Sequence, residues 1–312
     1  MKILIVGAGA IGGYFGGRLL EAGRDVTFLV REKRAAQLAQ TGLVIKSRFG
    51  DATLKPSTIQ AAELRQPYDL IILSLKAYDL IGAMESFAPA VGPQTTILPL
   101  LNGMRHLDLL EKRFGAERVI GGECLIAATL DAEGRVLHLN DAHVIAFGER
   151  DGKNSPRIDT IAREFAGTKT DARASATILL EMWEKWVFLA TLAGITCLMR
   201  ASTADIVAAN AAPLALQLLD ECSAIATSAG FTPRDPALDR ARKLLTAPGV
   251  PTTASMMRDV EHGARVEADH ILGDLIERGK NVLPELSILR LAYANLKSYE
   301  ARRSREAQAA KR

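Results

Sequence analysis

Three groups of residues in this chain have types and spacings that could carry chemistry. The first is Gly7-Ala8-Gly9-Ala10-Ile11-Gly12, which directly follows the apolar run Lys2–Val6. In such a series the first glycine permits a tight turn, the second lets backbone approach a pyrophosphate, and the third lets a helix pack close to a strand. Phosphates would sit at the N-terminus of the following helix, where unpaired N–H groups and the helix dipole favour negative charge. A glycine triplet alone is weak evidence. Here a strand-like run precedes it and the helix-compatible stretch Tyr14–Ala22 follows, which is the setting that makes the pattern informative. The expectation is dinucleotide binding, with Gly7, Gly9, Ala10, Ile11 and Gly12 forming the cofactor loop.

The second group lies where further strands should end. The strand Asp25–Val30 runs into Arg31, with Glu32, Lys33 and Arg34 behind it. An acidic residue at this place binds the ribose hydroxyls of NAD, whereas a guanidinium suits a 2′-phosphate. Arg31 first in line favours NADP(H). The competing reading is that Arg31 merely starts a solvated helix and Glu32 takes the ribose. Lys76 follows the buried strand Asp69–Leu75, and Asn102-Gly103 follows the strand Thr95–Leu100. Both fall at carboxyl ends of strands, where ligands bind in open parallel sheets. Lys76 could equally be a surface lysine, and Asn-Gly a plain turn.

The third group is Lys185, set between Trp183 and Trp186 in an apolar helix. Burial beside aromatic walls lowers a lysine's pKa toward the working range of a general acid. The alternative is a snorkelling lysine, with its stem on Trp186 and its ammonium in water.

The elements that must position these groups divide the chain. The first half alternates strands and helices, which predicts a doubly wound parallel sheet. Leu43–Lys46 and Ala52–Lys55 read as short paired strands. Cys124–Leu130, Arg135–Leu139 and His143–Phe147 read as short strands joined by tight turns, one of them Asp131–Gly134, on the edge of the same domain. Strand signals stop after about Asp171. Helical spacing then covers Ala174–Ala201, Ala212–Ala229, Ala237–Leu245, Met256–His262, Arg265–Arg278 and Pro284–Ala301, with a break at Thr246–Ser255. The predicted fold class is α/β: an N-terminal Rossmann-type domain over residues 1–170 and an all-α domain over 171–312.

Composition narrows the function. The chain has 312 residues, 48% of them hydrophobic, and a formal net charge of +3. That is ample for two cores and gives no strong pull on polyanions, so no nucleic-acid partner is expected. The basic tail from Lys297 reads as a solvated helix end. Three cysteines without C-x-x-C spacing, and five scattered histidines, predict free thiols, a reducing cytoplasm and no metal. The N-terminus lacks a convincing signal-peptide cleavage region. The apolar run Val187–Met199, at about thirteen residues, is too short to cross a bilayer.

Taken with these groups, the chain resembles the ketopantoate reductase family (2-dehydropantoate 2-reductases). The resemblance rests on Gly7–Gly13 (GAGAIGG), Leu73–Asp79 (LSLKAYD), Leu100–Met104 (LLNGM), Glu181–Phe188 (EMWEKWVF) and the long segment Ser255–Gly279. It implies reduction of a 2-oxo acid to a 2-hydroxy acid with NADPH, in pantothenate and coenzyme A synthesis or in a paralogue with another substrate. On matching positions, Lys185 is the implied general acid and Glu267 the active-site glutamate that orients substrate. Ser255 is the serine for the substrate carboxylate, Asn102 the amide near the nicotinamide, and Lys76 and Arg31 are cofactor contacts. Glu267 would otherwise be a helix-start glutamate, and Ser255 an N-cap for Met256–His262.

There is one departure. Asparagines four and eight residues after the family's lysine contact the pantoate hydroxyls, and here those positions are Leu189 and Ala193. The spacing puts both on the Lys185 stripe of the helix. A pocket without those amides would favour a less polar 2-oxo acid, unless Thr191 or Thr196 compensates. The site is expected in a cleft between the domains, and a homodimer through the helical domain. Rival readings are an oxidising hydroxy-acid dehydrogenase with Lys185 as base, and a non-catalytic NADP-binding sensor.

Overall fold

A computed structural model of the chain describes residues 1–310. The two positions of the basic tail beyond them lie outside the described residues. The chain forms two compact units: one of residues 1–102 and 106–178, the other of 103–105 and the chain from Leu179 on.

The strands of the first unit are β1 (Lys2–Val6), β2 (Asp25–Leu29), β3 (Leu43–Lys46), β4 (Ala52–Leu54), β5 (Ser57–Ile59), β6 (Leu70–Leu73), β7 (Thr96–Pro99), β8 (Gly121–Leu130), β9 (Val136–Gly148) and β10 (Asp171–Ala174). Helices α1 (Ala10–Glu21), α2 (Glu32–Thr41), α3 (Leu80–Phe87), α4 (Arg105–Phe114) and α5 (Pro156–Phe165) connect them. One sheet is parallel throughout, in the order β5-β2-β1-β6-β7. Its central strands are apolar on both faces, with Ile3, Leu4, Ile5, Leu70, Ile71, Ile72 and Leu73 all fully buried, as a sheet covered on both sides requires. Val6 is level with Leu73, and Leu73 with Pro99. Gly7, Ser74 and Leu100 therefore leave the sheet along one edge.

The second sheet runs β10-β9-β3-β4, with β8 antiparallel on β9. The expected edge strands thus form a separate sheet, and α1 is the layer between the two. A Cβ at Gly16 would lie 2.8 Å from Ile5 and Phe28 of the first sheet. One at Gly17 would lie 2.6 Å from Ile45, and one at Gly13 2.8 Å from Val136, both of the second sheet. The strands expected at Arg135–Leu139 and His143–Phe147 are the two arms of β9. The pairing breaks inside β9: Ile126 is level with His143 and Ala128 with His138, so residues 139–142 bulge out opposite Ala127, whose N–H the Asn140 amide oxygen accepts at 2.9 Å. A side chain replaces the missing ladder bond there, and the bulge falls between the two stretches that the sequence reads as separate strands. Strand structure also continues past Asp171, because β10 pairs in parallel with β9.

The second unit is helical: α6 (Ile178–Met199), α7 (Thr203–Ala208), α8 (Ala212–Ser228), α9 (Asp235–Thr246), α10 (Ser255–Glu261), a π-helical turn Asp269–Gly273 leading into α11 (Asp274–Arg278), and α12 (Ile288–Ala309). Buried α6 meets α8 closely at Gly194, where a Cβ would lie 2.9 Å from Leu218. It ends at Arg200, whose φ of 53° is left-handed. The Glu221 carboxylate accepts the Ile288 and Leu289 N–H groups at 3.0 and 2.9 Å, so α8 caps α12 from outside it. Among the described residues no helix is long and apolar enough to cross a membrane.

Candidate active site

The glycine loop is shaped by contacts that exclude other residues. Gly7 has φ +97°, its N–H donates to Leu29 O at 3.1 Å, and the Ser74 hydroxyl donates to Gly7 O at 3.1 Å. A Cβ at Gly12 would lie 2.1 Å from both Gly7 O and Ser74 Oγ. Gly9 is the opposite: a Cβ there would meet nothing within 4 Å. Gly9 is the N-cap of α1, contributes no side-chain cap, and the first turn of α1 carries no acidic residue. The first N–H groups of the helix thus face an open, uncompensated end, with Ala10 and Ile11 in its first turn. The residues present fit a pyrophosphate.

The cations behind β2 separate. Arg31 extends into solvent, its side chain 85% exposed, and pairs with Asp79 at 3.3 Å. Arg34 folds back instead, and its Nε donates to Ala8 O of the glycine loop at 3.0 Å. Sequence reasoning placed Arg34 only behind Arg31, and it overlooked Ser74 although Ser74 lies within the quoted LSLKAYD segment. Lys76 is half-buried just past β6, where its carbonyl accepts the Asp79 N–H at 2.9 Å. Asn102 is half-buried in a bend past β7 rather than at a hairpin turn. The glycine loop, Lys76 and Asn102 therefore share one edge of the parallel sheet.

In the second unit Lys185 is half-buried on α6. Its aromatic neighbours are core: Trp183 is 2% exposed and Trp186 fully buried, with ring centroids 4.8 Å apart. The Trp186 indole N–H donates to Ile271 O at 2.9 Å. That bond ties the residue after Lys185 to the π-helical turn which Glu267 opens, for Glu267 O accepts the His270 and Ile271 N–H groups at 3.2 and 2.9 Å. A π-turn is a frequent mark of a functional segment. Glu267 itself is half-buried. Ser255 is exposed and is the first residue of α10, while Ala254 is its N-cap and no side chain caps it. The capping role expected of Ser255 is thus absent, because α10 starts one residue earlier than the sequence suggested.

Along the Lys185 stripe, Leu189 is half-buried and Ala193 is buried. The Thr191 hydroxyl donates to Val187 O at 2.8 Å and the Thr196 hydroxyl to Leu192 O at 2.6 Å. Both threonines are fully buried. Their donors are spent on their own helix, so neither replaces a missing amide.

Among the described residues there is no group of three or more His, Cys, Asp or Glu that could hold a metal. All three cysteines are buried, and none of them forms a disulfide. Burial pushes the Cys197 and Cys222 thiols up to about 12, which leaves no nucleophilic thiolate there.

Two family profiles match: "Ketopantoate reductase PanE/ApbA" over residues 3–152 and "Ketopantoate reductase PanE/ApbA C terminal" over residues 177–300. The chain belongs to the ketopantoate reductase family. Within curated relatives, it is 41% identical to an uncharacterised oxidoreductase, YkpB, of Bacillus subtilis (strain 168), over 96% of this chain and 99% of that one. It is 30% identical to a 2-dehydropantoate 2-reductase of Mesorhizobium japonicum, over 90% and 92% of the two chains. A crystal structure of 2-dehydropantoate 2-reductase from Geobacter metallireducens GS-15 is similar with a TM-score of 0.86 at 30% identity, covering 96% of this chain and 99% of that chain. These likenesses support an oxidoreductase with the α/β-plus-helical fold described above.

Proposed function

We propose that this chain reduces a 2-oxo acid to a 2-hydroxy acid with NADPH, with ketopantoate as the first substrate to test and pantothenate synthesis as its setting. The observation that carries the reading is the glycine loop: Gly12 is pressed onto Gly7 and Ser74 while Gly9 faces open space at the start of α1. Gly7, Gly9, Ala10, Ile11 and Gly12 would hold the pyrophosphate. Arg31, exposed past β2, would meet the 2′-phosphate, and Lys76 and Asn102 the parts of the cofactor that reach the edge of β6 and β7. The nicotinamide, when bound, supplies the hydride.

The protein's part is electrostatic and protonic. Addition to a ketone carbonyl builds negative charge on its oxygen. The Lys185 ammonium stabilises that charge and returns a proton to it. Glu267, at the mouth of the π-turn, orients the substrate, and the exposed Ser255 hydroxyl binds the substrate carboxylate. A homodimer formed through the helical unit accompanies this reading, and sedimentation velocity tests it.

A second reading is favoured by the Lys185 stripe. Leu189 and Ala193 offer no amide, and Thr191 and Thr196 donate to their own helix. A site without partners for substrate hydroxyls discriminates poorly in favour of a hydroxylated acid, which points to a paralogue acting on a more apolar 2-oxo acid. The test is the loss of NADPH absorbance with the purified protein, ketopantoate being run beside a panel of apolar 2-oxo acids. Strong turnover of ketopantoate supports the first reading. Turnover of an apolar acid in its place supports the second. No turnover with NADPH still bound defeats both and leaves a sensor.

A further inference from the structure

We infer that Arg34, held by the β8–β9 turn, is a positioning residue for the whole dinucleotide, distinct from the cation that reads the 2′-phosphate. The inference rests on the dinucleotide reading above. Arg34 lies in the first turn of α2 and forks between two distant segments. Its Nε donates to Ala8 O at 3.0 Å, and its Nη1 to Gly134 O at 2.9 Å and to Gln37 Oε1 at 2.6 Å. Gln37 in turn donates to Glu133 O at 2.8 Å. The turn is closed on itself, with Gly134 N–H on Asp131 O at 3.0 Å and Arg135 paired to Asp131 at 2.6 Å. A single side chain thus ties the glycine loop to a hairpin more than a hundred residues away in sequence.

Two features separate Arg34 from an ordinary structural arginine. Every acceptor it has is neutral: two carbonyls and an amide oxygen. Its Nη2 is buried with no partner at all. Burial lowers its pKa, with no carboxylate acting against that. A half-buried guanidinium without a counter-charge leaves a standing positive potential beside the loop. An anion arriving at the loop is the group that would compensate it. Arg31 differs on each count, being exposed and already paired with Asp79.

The geometry also gives the turn a part in binding. Gly134 has φ +74°, and a Cβ there would lie 2.3 Å from Gln37 Nε2 and 2.6 Å from Arg34 Nη1. A side chain at Gly134 would push the clamp off the loop while touching no ligand.

The experiment is a fluorescence titration of NADPH and of NADH on the full chain, with the thermal midpoint of each variant as a fold control. Arg34→Gln should weaken both dinucleotides by the same factor, about tenfold or more. Gly134→Ala should do the same in smaller measure, and it keeps the test alive if Arg34→Gln folds poorly. Arg31→Gln should weaken NADPH alone. Both dissociation constants within twofold of wild type in Arg34→Gln and Gly134→Ala would overturn the inference, as would an Arg34→Gln defect confined to NADPH. Wild-type protein that binds neither dinucleotide would overturn the dinucleotide reading itself, and this inference with it.

Discussion

The two units would carry the proposed chemistry differently. In the first, the proposed function rests on backbone: three glycines, one serine hydroxyl and the open end of a helix define the loop, and side chains mostly brace it. In the second, the proposed reading puts it in side chains projected from helices: Lys185 from α6, Glu267 from the mouth of a π-turn, Ser255 from the start of α10. A backbone site is shaped by what cannot be there, such as a Cβ at Gly12. A side-chain site is shaped by what holds its helices, such as the Trp186 bond to Ile271 O. Substitutions should therefore fail in different ways in the two units.

The largest expected effect is in the second. Lys185→Ala should lower kcat by about a hundredfold to ten-thousandfold, the usual range for a lost general acid, while NADPH affinity holds. Steady-state rates beside a fluorescence titration check this, and turnover near the wild-type level would break the contrast. Gly12→Ala should act the opposite way. Its Cβ would lie 2.1 Å from Gly7 O, overpacking that costs about 1–3 kcal/mol. It should show as a lower urea midpoint together with lost NADPH binding. Loss of stability with binding intact would mean the loop's shape matters less than stated here.

A subtler change sharpens the side-chain half. Leu189→Asn restores an amide to the Lys185 stripe, and should raise the kcat/KM ratio of ketopantoate over 2-oxoisovalerate by about tenfold or more. An unchanged ratio would mean that Leu189 does not face the substrate.

The smallest effect belongs to the first unit, at His143. Burial, with the charges of His138 and Arg18, holds its pKa below the ordinary 6.5 against the pull of Asp171. The folded protein therefore keeps this imidazole neutral, its Nδ1 2.9 Å from the Tyr14 hydroxyl. Its contribution to stability is complete above about pH 6.5. It is lost as pH falls toward the depressed value, because the unfolded chain binds the proton first. His143→Gln should flatten that part of the stability profile, read as the difference in thermal midpoint between the two proteins from pH 5 to 7.

This contrast also explains what could be read from the residues alone. The glycine loop and the strand ends were legible because backbone motifs are local in sequence. Lys185 stood out for its place between two tryptophans. Helices α4 and α5 were readable but not read: Leu107, Leu110 and Phe114, then Ile158, Ile161 and Phe165, repeat at helical spacing and are buried. Which cation behind β2 folds back onto the loop was not legible, because the choice depends on Gly134 in another hairpin. Nor was the way the bulge in β9 is closed, which depends on Asn140 meeting Ala127 across the ladder. Ser255 illustrates a limit of another kind: a serine before a helix reads as a cap until the start of the helix moves by one residue.

Helix α1 deserves a last consequence. Residues Gly12–Leu19 are buried without interruption, with one sheet packed on Gly16 and the other on Gly13 and Gly17. A helix gripped on two sides cannot tilt or unwind unless both sheets move with it. The surface proposed to receive the dinucleotide is thus completed during folding, before any ligand arrives. Little chain entropy remains to be lost there on binding, and amide exchange along α1 should report the unfolding of the whole unit, not local breathing.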